Sequence, residues 1–271
     1  MLSILNSISS LTAENALSAT QANLQKVLTE LSTGLKINSG SDDAAGLSIA
    51  NGLEANVSAL NQSSQNASDG VGLLQTADGA LSQVTTLLNR AVTLATEAST
   101  GGLSTAQATA LDGEYQSILG EIGTIGSTTN YNGTTIFGTT ATVYTSDGTA
   151  AGSNTTSTAI GALSSAALTL TGTALLTTAG AQASLTAITA AIGTVAANRG
   201  AIGAAVNQLN ASANVENTEV TNLTSAENNI QNADIGQTVA QMTQYNVLQQ
   251  TGMAALTQSN QAQQSVLKLL Q

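Results

Sequence analysis

The sequence predicts a mainly α fold, with long antiparallel helices in coiled-coil-like bundles and a small β-hairpin region. Three observations lead there. The 271 residues include no Pro, the residue that most strongly breaks helix interiors. Apolar residues recur at alternating steps of four and three over residues 53–95 and 185–230, the period of a heptad seam. A short central stretch is instead β-prone and carries hairpin-type turns.

Taken in order, residues 1–38 form the first helical segment. Leu17, Leu24, Leu28, Leu31 and Leu35 lie on one stripe, and an isolated amphipathic helix is marginal in water. Residues 39–46 form a connector containing Asp42-Asp43. Adjacent residues point in different directions, so the pair is assigned to capping a helix that starts near Ala44 rather than to a shared metal or acid–base site. Residues 47–137 begin with the seam Leu53, Val57, Leu60, Ser64, Ala67, Val71, Leu74, Asp78, Leu81, Thr85, Leu88, Val92 and Ala95. Only Ser64, Asp78 and Thr85 interrupt it. A shorter helix over 104–125 is opened by Ser104 as N-cap and carries Leu111, Ile118, Ile122 and Ile125, although four glycines weaken it.

Residues 138–179 are the hairpin region. Thr135–Phe137 and Ala141–Thr145 are β-prone, Asn132-Gly133 and Asp147-Gly148 are turn signals, 146–160 is expected to be an exposed loop, and Ala167–Thr171 alternates as a strand would. Residues 180–231 carry the cleaner seam: Leu185, Ile188, Ile192, Val195, Arg199, Ile202, Val206, Leu209, Ala213, Glu216, Val220, Leu223, Glu227 and Ile230. Arg199, on that seam, is expected to partner a carboxylate or pack its stem. The two seam helices run roughly 65 and 70 Å at 1.5 Å per residue, and matched stripes are buried side by side. Residues 232–271 form a last helix with Ile235, Val239, Met242, Leu256, Leu267 and Leu270 on its apolar side and Tyr245 as a packing residue. Both termini are expected at one end and the β excursion at the other.

Composition excludes much chemistry. There is no Cys and no His, which removes disulfides, thiolate nucleophiles, the Ser-His-Asp and Cys-His constellations, and zinc sites built on those ligands. No Walker loop or dinucleotide fingerprint is present. No residue constellation supports an enzyme, and no cofactor is expected. Five cations against sixteen carboxylates give a net charge of −11 and no basic patch, against nucleic-acid binding. No apolar run approaches the roughly 18 to 20 residues that span a bilayer, so membrane insertion is not expected. The first cation is Lys26, so the N-terminus is not an ordinary cleavable secretory signal. Charged residues make up only 8%, where a soluble domain usually carries about 25%. Two readings fit: a glycosylated or low-complexity surface protein, or a subunit whose surface is buried against copies of itself. Composition leans to the second.

The stretch LSTGLKINSGSDDAAGLSIA at 31–50 closely resembles the N-terminal signature of bacterial flagellins, and NASDGVGLLQTADGAL at 66–81 continues it. NADIGQTVAQMTQYNVLQQTGMAALTQSNQAQQSVLKLL at 232–270 is similar to the family's C-terminal signature. The resemblance covers about residues 1–137 and 180–271, leaving 138–179, where flagellins vary most. It implies a short flagellin with little or no outer variable domain. Residues 1–38 and 232–271 would be its inner-tube helices, 39–46 the connector, and 47–137 and 180–231 the outer-tube helices.

The function implied is a secreted, self-assembling structural subunit of the extracellular flagellar filament, serving motility. A homopolymer, an export chaperone and a filament cap are the implied partners. Low charge agrees with this, because packed subunits would otherwise bury unpaired charges. The family often has Pro, an acidic residue and a basic residue where this chain has Gln263, Thr238 and Gln244, which implies more reliance on apolar and amide contacts. Arg90, Leu94 and Glu114 match the epitope that a flagellin-sensing Toll-like receptor recognises in some flagellins, but Val92 and Thr93 replace a charged pair. The alternative is that Arg90 pairs with a carboxylate and Leu94 packs. Ser153, Thr155, Thr156, Ser157 and Thr158 are candidate O-glycan sites. The rival functions are a hook–filament junction protein, whose middle is usually larger, and a secreted adhesin or receptor ligand. Flagellins with a zinc protease need histidines that this chain lacks.

Overall fold

A computed structural model describes residues 8–149 and 154–269. In chain order the elements are α1 (Ile8–Thr33), α2 (Ala44–Ala98), α3 (Thr105–Thr128), β1 (Asn130–Tyr131), β2 (Thr134–Thr135), β3 (Thr139–Thr145), β4 (Asn154–Ile160), α4 (Thr178–Gln231) and α5 (Ile235–Leu269). The chain divides into a terminal unit, Met1–Glu54 with Leu223–Gln271, and a central unit, Ala55–Asn222.

The central unit is built on the two predicted seams. Leu60, Leu74, Leu81 and Leu88 of α2 and Ile188, Val195, Ile202 and Leu209 of α4 are buried, and no position of either heptad series within this unit is fully exposed. The pairing is antiparallel: Ser63 meets Glu216, Gly70 lies against Leu209, and Asp78 meets Arg199, so one number rises as the other falls. At one crossing a polar interruption of one seam meets a polar residue of the other. Arg199 Nε and Nη2 donate to Asp78 Oδ1 and Oδ2 at 2.7 and 3.2 Å, the two-pronged geometry that favours Arg. Ser63 Oγ donates to buried Glu216 Oε1 at 2.7 Å and accepts from Ser146 N at 2.9 Å, which ties the hairpin to both helices.

Within α4 an 18-residue window reaches a mean hydropathy of 1.2, enough by length and composition to cross a membrane. This corrects the expectation that no stretch qualifies. The stretch-by-stretch reading missed it because Ala and Gly raise the average without forming an unbroken run. Ile188, Val195, Ile202 and Leu209 of this helix are buried in the protein's own core.

Helix α3 starts as expected. Ser104 accepts from Gln107 N while Gln107 Oε1 accepts from Ser104 N, a full capping box. The helix outlasts its glycines because Tyr115, Ile118, Leu119 and Ile122 face the core. Gly126 has a packing reason: a Cβ there would collide with the backbone carbonyl of Leu163.

The β region differs from expectation in two places. Residues 154–160 are strand, not loop, paired antiparallel with β3 from Thr139↔Ile160 to Thr145↔Asn154. Thr156 and Ile160 point inward, so a Ser/Thr-rich run served as a β-branched strand. Residues 167–171 are turns, not strand. Their alternation is real, with Leu168 and Leu170 buried, but the backbone bonds locally, Leu168 N to Ser164 O and Leu170 N to Ser165 O at 3.0 and 2.7 Å. Among β1 and β2, Asn132 and Gly133 take φ of 49° and 78°, the two positive values a tight hairpin turn requires.

In the terminal unit α1 and α5 pack antiparallel. Ser10 Oγ and Ser259 Oγ are 2.8 Å apart, and Gly252 lies against Leu17. The connectors that follow α1 and precede α5 pair by backbone: Lys36 N donates to Gln231 O at 2.7 Å and Ala233 N to Gly34 O at 2.9 Å, around the bridge Leu35↔Asn232.

Candidate functional site

The predicted stripe residues fall into two groups in the terminal unit. Leu17, Leu24, Leu31 and Leu35, with Met242, Leu256 and Tyr245, are half-buried, where α1 and α5 cover one another. Leu28 on α1 and Ile235 and Val239 on α5 remain 46%, 49% and 40% exposed. Sequence periodicity missed further exposed apolar residues: Ile8, Leu11, Ile49, Val247, Leu248 and Met253. Val247 and Leu248 lie off the stripe, so a single-seam search passes over them; apolar residues on a second side of a helix are the signal that finds them. The side chain of Leu267 and the whole of Leu270 lie outside the described residues, as does Ser153.

The connector is a polar clasp. Asp43 caps α2 through Oδ1, which accepts from Gly46 N at 2.9 Å, and Asp234 caps α5 by accepting from Gln237 N at 3.2 Å. Asp42 points elsewhere: Oδ1 meets Lys26 Nζ of α1 at 3.0 Å, while Oδ2 accepts from Asn38 N, Ser39 N and Ser39 Oγ. The Lys26 ammonium, then the Ser39 hydroxyl and the Asn38 amide, hold the Asp42 carboxyl down to about 2 from an ordinary 3.8. A depressed carboxyl stabilises the fold above its unfolded value and loses that contribution as pH falls through its folded value. The stability difference between the native chain and Asp42→Asn should therefore be full above about pH 5, shrink as pH falls from about 4 to about 2, and vanish only below about pH 2. Thermal melts followed by circular dichroism across that range check this. Glu114 and Asp147 are also lowered, but they titrate in both proteins and cancel.

Arg90 Nε donates to Glu114 Oε1 at 2.8 Å, joining α2 to α3 with both side chains about half exposed. This bond lowers the Glu114 carboxyl pKa. Leu94 is only 1% exposed and packs in the core, so the monomer offers Arg90 and Glu114 at this surface but not Leu94. Of the candidate O-glycan positions, Thr155 and Ser157 are exposed and Thr158 is half-buried. Thr156 is 4% exposed with its hydroxyl turned inward and unpartnered, which removes it as a glycan acceptor in the folded chain. Among the described residues no group of three or more His, Cys, Asp or Glu side chains is placed to hold a metal.

Two family models match the chain. The bacterial flagellin N-terminal helical region covers residues 4–142 and the bacterial flagellin C-terminal helical region covers 185–270. Flagellin 1 of Proteus mirabilis is 40% identical over 123 residues, which is 45% of this chain and 34% of that protein. Phase 1 flagellin of Salmonella naestved is 39% identical over 127 residues, 47% of this chain and 25% of that protein. The matched part thus spans only 34% and 25% of these relatives' length. The crystal structure of Bacillus cereus flagellin aligns with a TM-score of 0.49 at 30% identity, over 56% of this chain and 88% of that one. The unmatched stretch, residues 143–184, contains the end of β3, all of β4, the turns that lead to α4 and the start of α4. With the N-terminal region alone matching more than half of the chain and the C-terminal region following in order, the protein belongs to the bacterial flagellin family.

Proposed function

We propose that the chain is a structural subunit that is exported and polymerises into the filament of the bacterial flagellum. It transmits torque and catalyses no reaction. The observation that carries this reading is the apolar surface left open on a paired helix unit. Leu11, Leu28, Ile235, Val239, Val247, Leu248 and Met253 are each at least 40% exposed on α1 and α5. Burying one such side chain contributes about 1.5–3 kcal/mol, and sister chains packed around the pair would bury several at once. A low charge count lets chains approach without stranding unpaired ions. The export chaperone, the filament cap and the sensing receptor belong to the same reading. The receptor surface rests on the ion-paired Arg90 and Glu114, and glycans on Thr155, Ser157 and Thr158.

Electron microscopy of purified chain, salted out or seeded with sheared filament fragments, tests the reading. Long hollow tubes of uniform diameter are expected. A chain that stays monomeric at high concentration with seeds present overturns it, and short caps that stop growing favour a junction protein instead.

A further inference from the structure

We propose that Met253 is a peroxide-sensitive modification site, and that its conversion to the sulfoxide in the free subunit blocks subunit addition. The blocking half rests on the filament reading above. The chain has no Cys, Trp or His and only three Met, so two-electron oxidants such as hydrogen peroxide find their reactive groups in the methionine thioethers alone. Met1 lies outside the described residues, and the other two, Met242 and Met253, both sit on α5. Met242 is half-buried, whereas Met253 is 48% exposed. At 3.6 residues per turn, Ile235 and Met253 are five turns apart on one line, with Val239 and Met242 within about 40° of it. That line runs beside the face of α5 that carries Gly252 against Leu17 of α1. Met253 therefore shares a side of α5 with the open residues Ile235 and Val239, with Asn246 and Gln249 between them, and a neighbouring chain that covers that side would cover it.

In the reaction the thioether sulfur attacks one peroxide oxygen. The S–O bond forms as the O–O bond breaks, the sulfur gives up two electrons, and the other oxygen leaves as water after proton transfer. The flexible apolar side chain becomes a polar one that wants hydrogen-bonding partners. A subunit interface that buried it without such partners would be weakened.

The test uses the full purified chain treated with dilute hydrogen peroxide, followed by peptide mass spectrometry and seeded elongation. Met253 should gain its oxygen before Met242, and elongation of the oxidised chain should fall by roughly tenfold or more, the change that one lost contact of about 1.4 kcal/mol produces. Met253→Leu should elongate at the same rate after peroxide as before it, and Met253→Gln should elongate poorly without it. Assembled tubes given the same peroxide should keep Met253 unmodified. Untreated chain that forms no tubes overturns the filament reading and the blocking role with it. Tubes that grow equally well from oxidised chain, or a Met253→Leu chain that remains peroxide-sensitive, overturn this inference alone. Oxidation of Met242 ahead of Met253 also overturns it.

Discussion

Leu28→Asp should leave the isolated chain as helical as the native protein and abolish its polymerisation. Leu28 is 46% exposed on α1, so the subunit itself has little to lose when the side chain changes. In a polymer the same position would be enclosed. The substitution removes an apolar contact of about 1.5–3 kcal/mol and places a carboxylate in that enclosed contact, a further cost of several kcal/mol unless water or a counter-charge enters. Even a total of about 4 kcal/mol raises the critical concentration roughly a thousandfold. Sedimentation of seeded reactions across a concentration series reads this directly. Leu28→Met keeps volume and apolarity and should polymerise with a near-native critical concentration. Tubes of normal yield from Leu28→Asp would show that α1 does not use this side in assembly.

The helices were legible because their determinants are local and repeated. Leu60, Leu74, Leu81 and Leu88 recur at fixed spacing, and so do Ile188, Val195, Ile202 and Leu209; no other structure buries such a series on one side. Arg199 was legible for a related reason: a cation on a seam needs a carboxylate, and Asp78 interrupts the opposite seam. Ser104 and the pair Asp42-Asp43 announced themselves as caps by standing just ahead of an apolar series; Asp43 fills that role, whereas Asp42 turns to Lys26.

The central turns were not legible. Leu168 and Leu170 alternate as in a strand because only every second side chain reaches the core, yet among the described residues no strand pairs with them, and that information lies outside the segment. Conversely, Asn154–Ile160 reads as loop by composition and becomes strand because β3 supplies its backbone partners. At the candidate site the stripes identified which helices matter but not which residues stay open. Leu24 and Leu28 share one stripe, yet the first is half-buried and the second exposed. Leu94 illustrates the same limit: its sequence position matches an exposed epitope, while its side chain belongs to the core.

Gly126→Ala should destabilise the central unit although it improves the local helix. Replacing Gly by Ala inside a helix normally gains about 1 kcal/mol. At Gly126 the added methyl would collide with the carbonyl oxygen of Leu163, and that backbone cannot swing aside like the end of a side chain. The segment containing Leu163 is held further along. Gln116 Nε2 donates to Thr173 O at 2.9 Å, Leu175 N donates to Asp112 Oδ1 at 2.7 Å, and Tyr115 and Thr173 share a hydroxyl contact at 2.6 Å. Retreat of Leu163 would also loosen Leu168 and Leu170, which are buried in the same core. Overpacking of this kind costs about 1–3 kcal/mol and occasionally more; a backbone collision belongs at the upper end, so a net loss of about 2 kcal/mol is expected, or roughly 5 °C in Tm for a unit of this size. The same helix supplies its own control. Gly120 and Gly123 have open space where a Cβ would go, so Gly120→Ala and Gly123→Ala should raise Tm while Gly126→Ala lowers it. Thermal melts of the three variants decide the matter by sign. A Gly126→Ala chain as stable as Gly120→Ala would mean that Leu163 does not approach α3 as closely as the packing here requires.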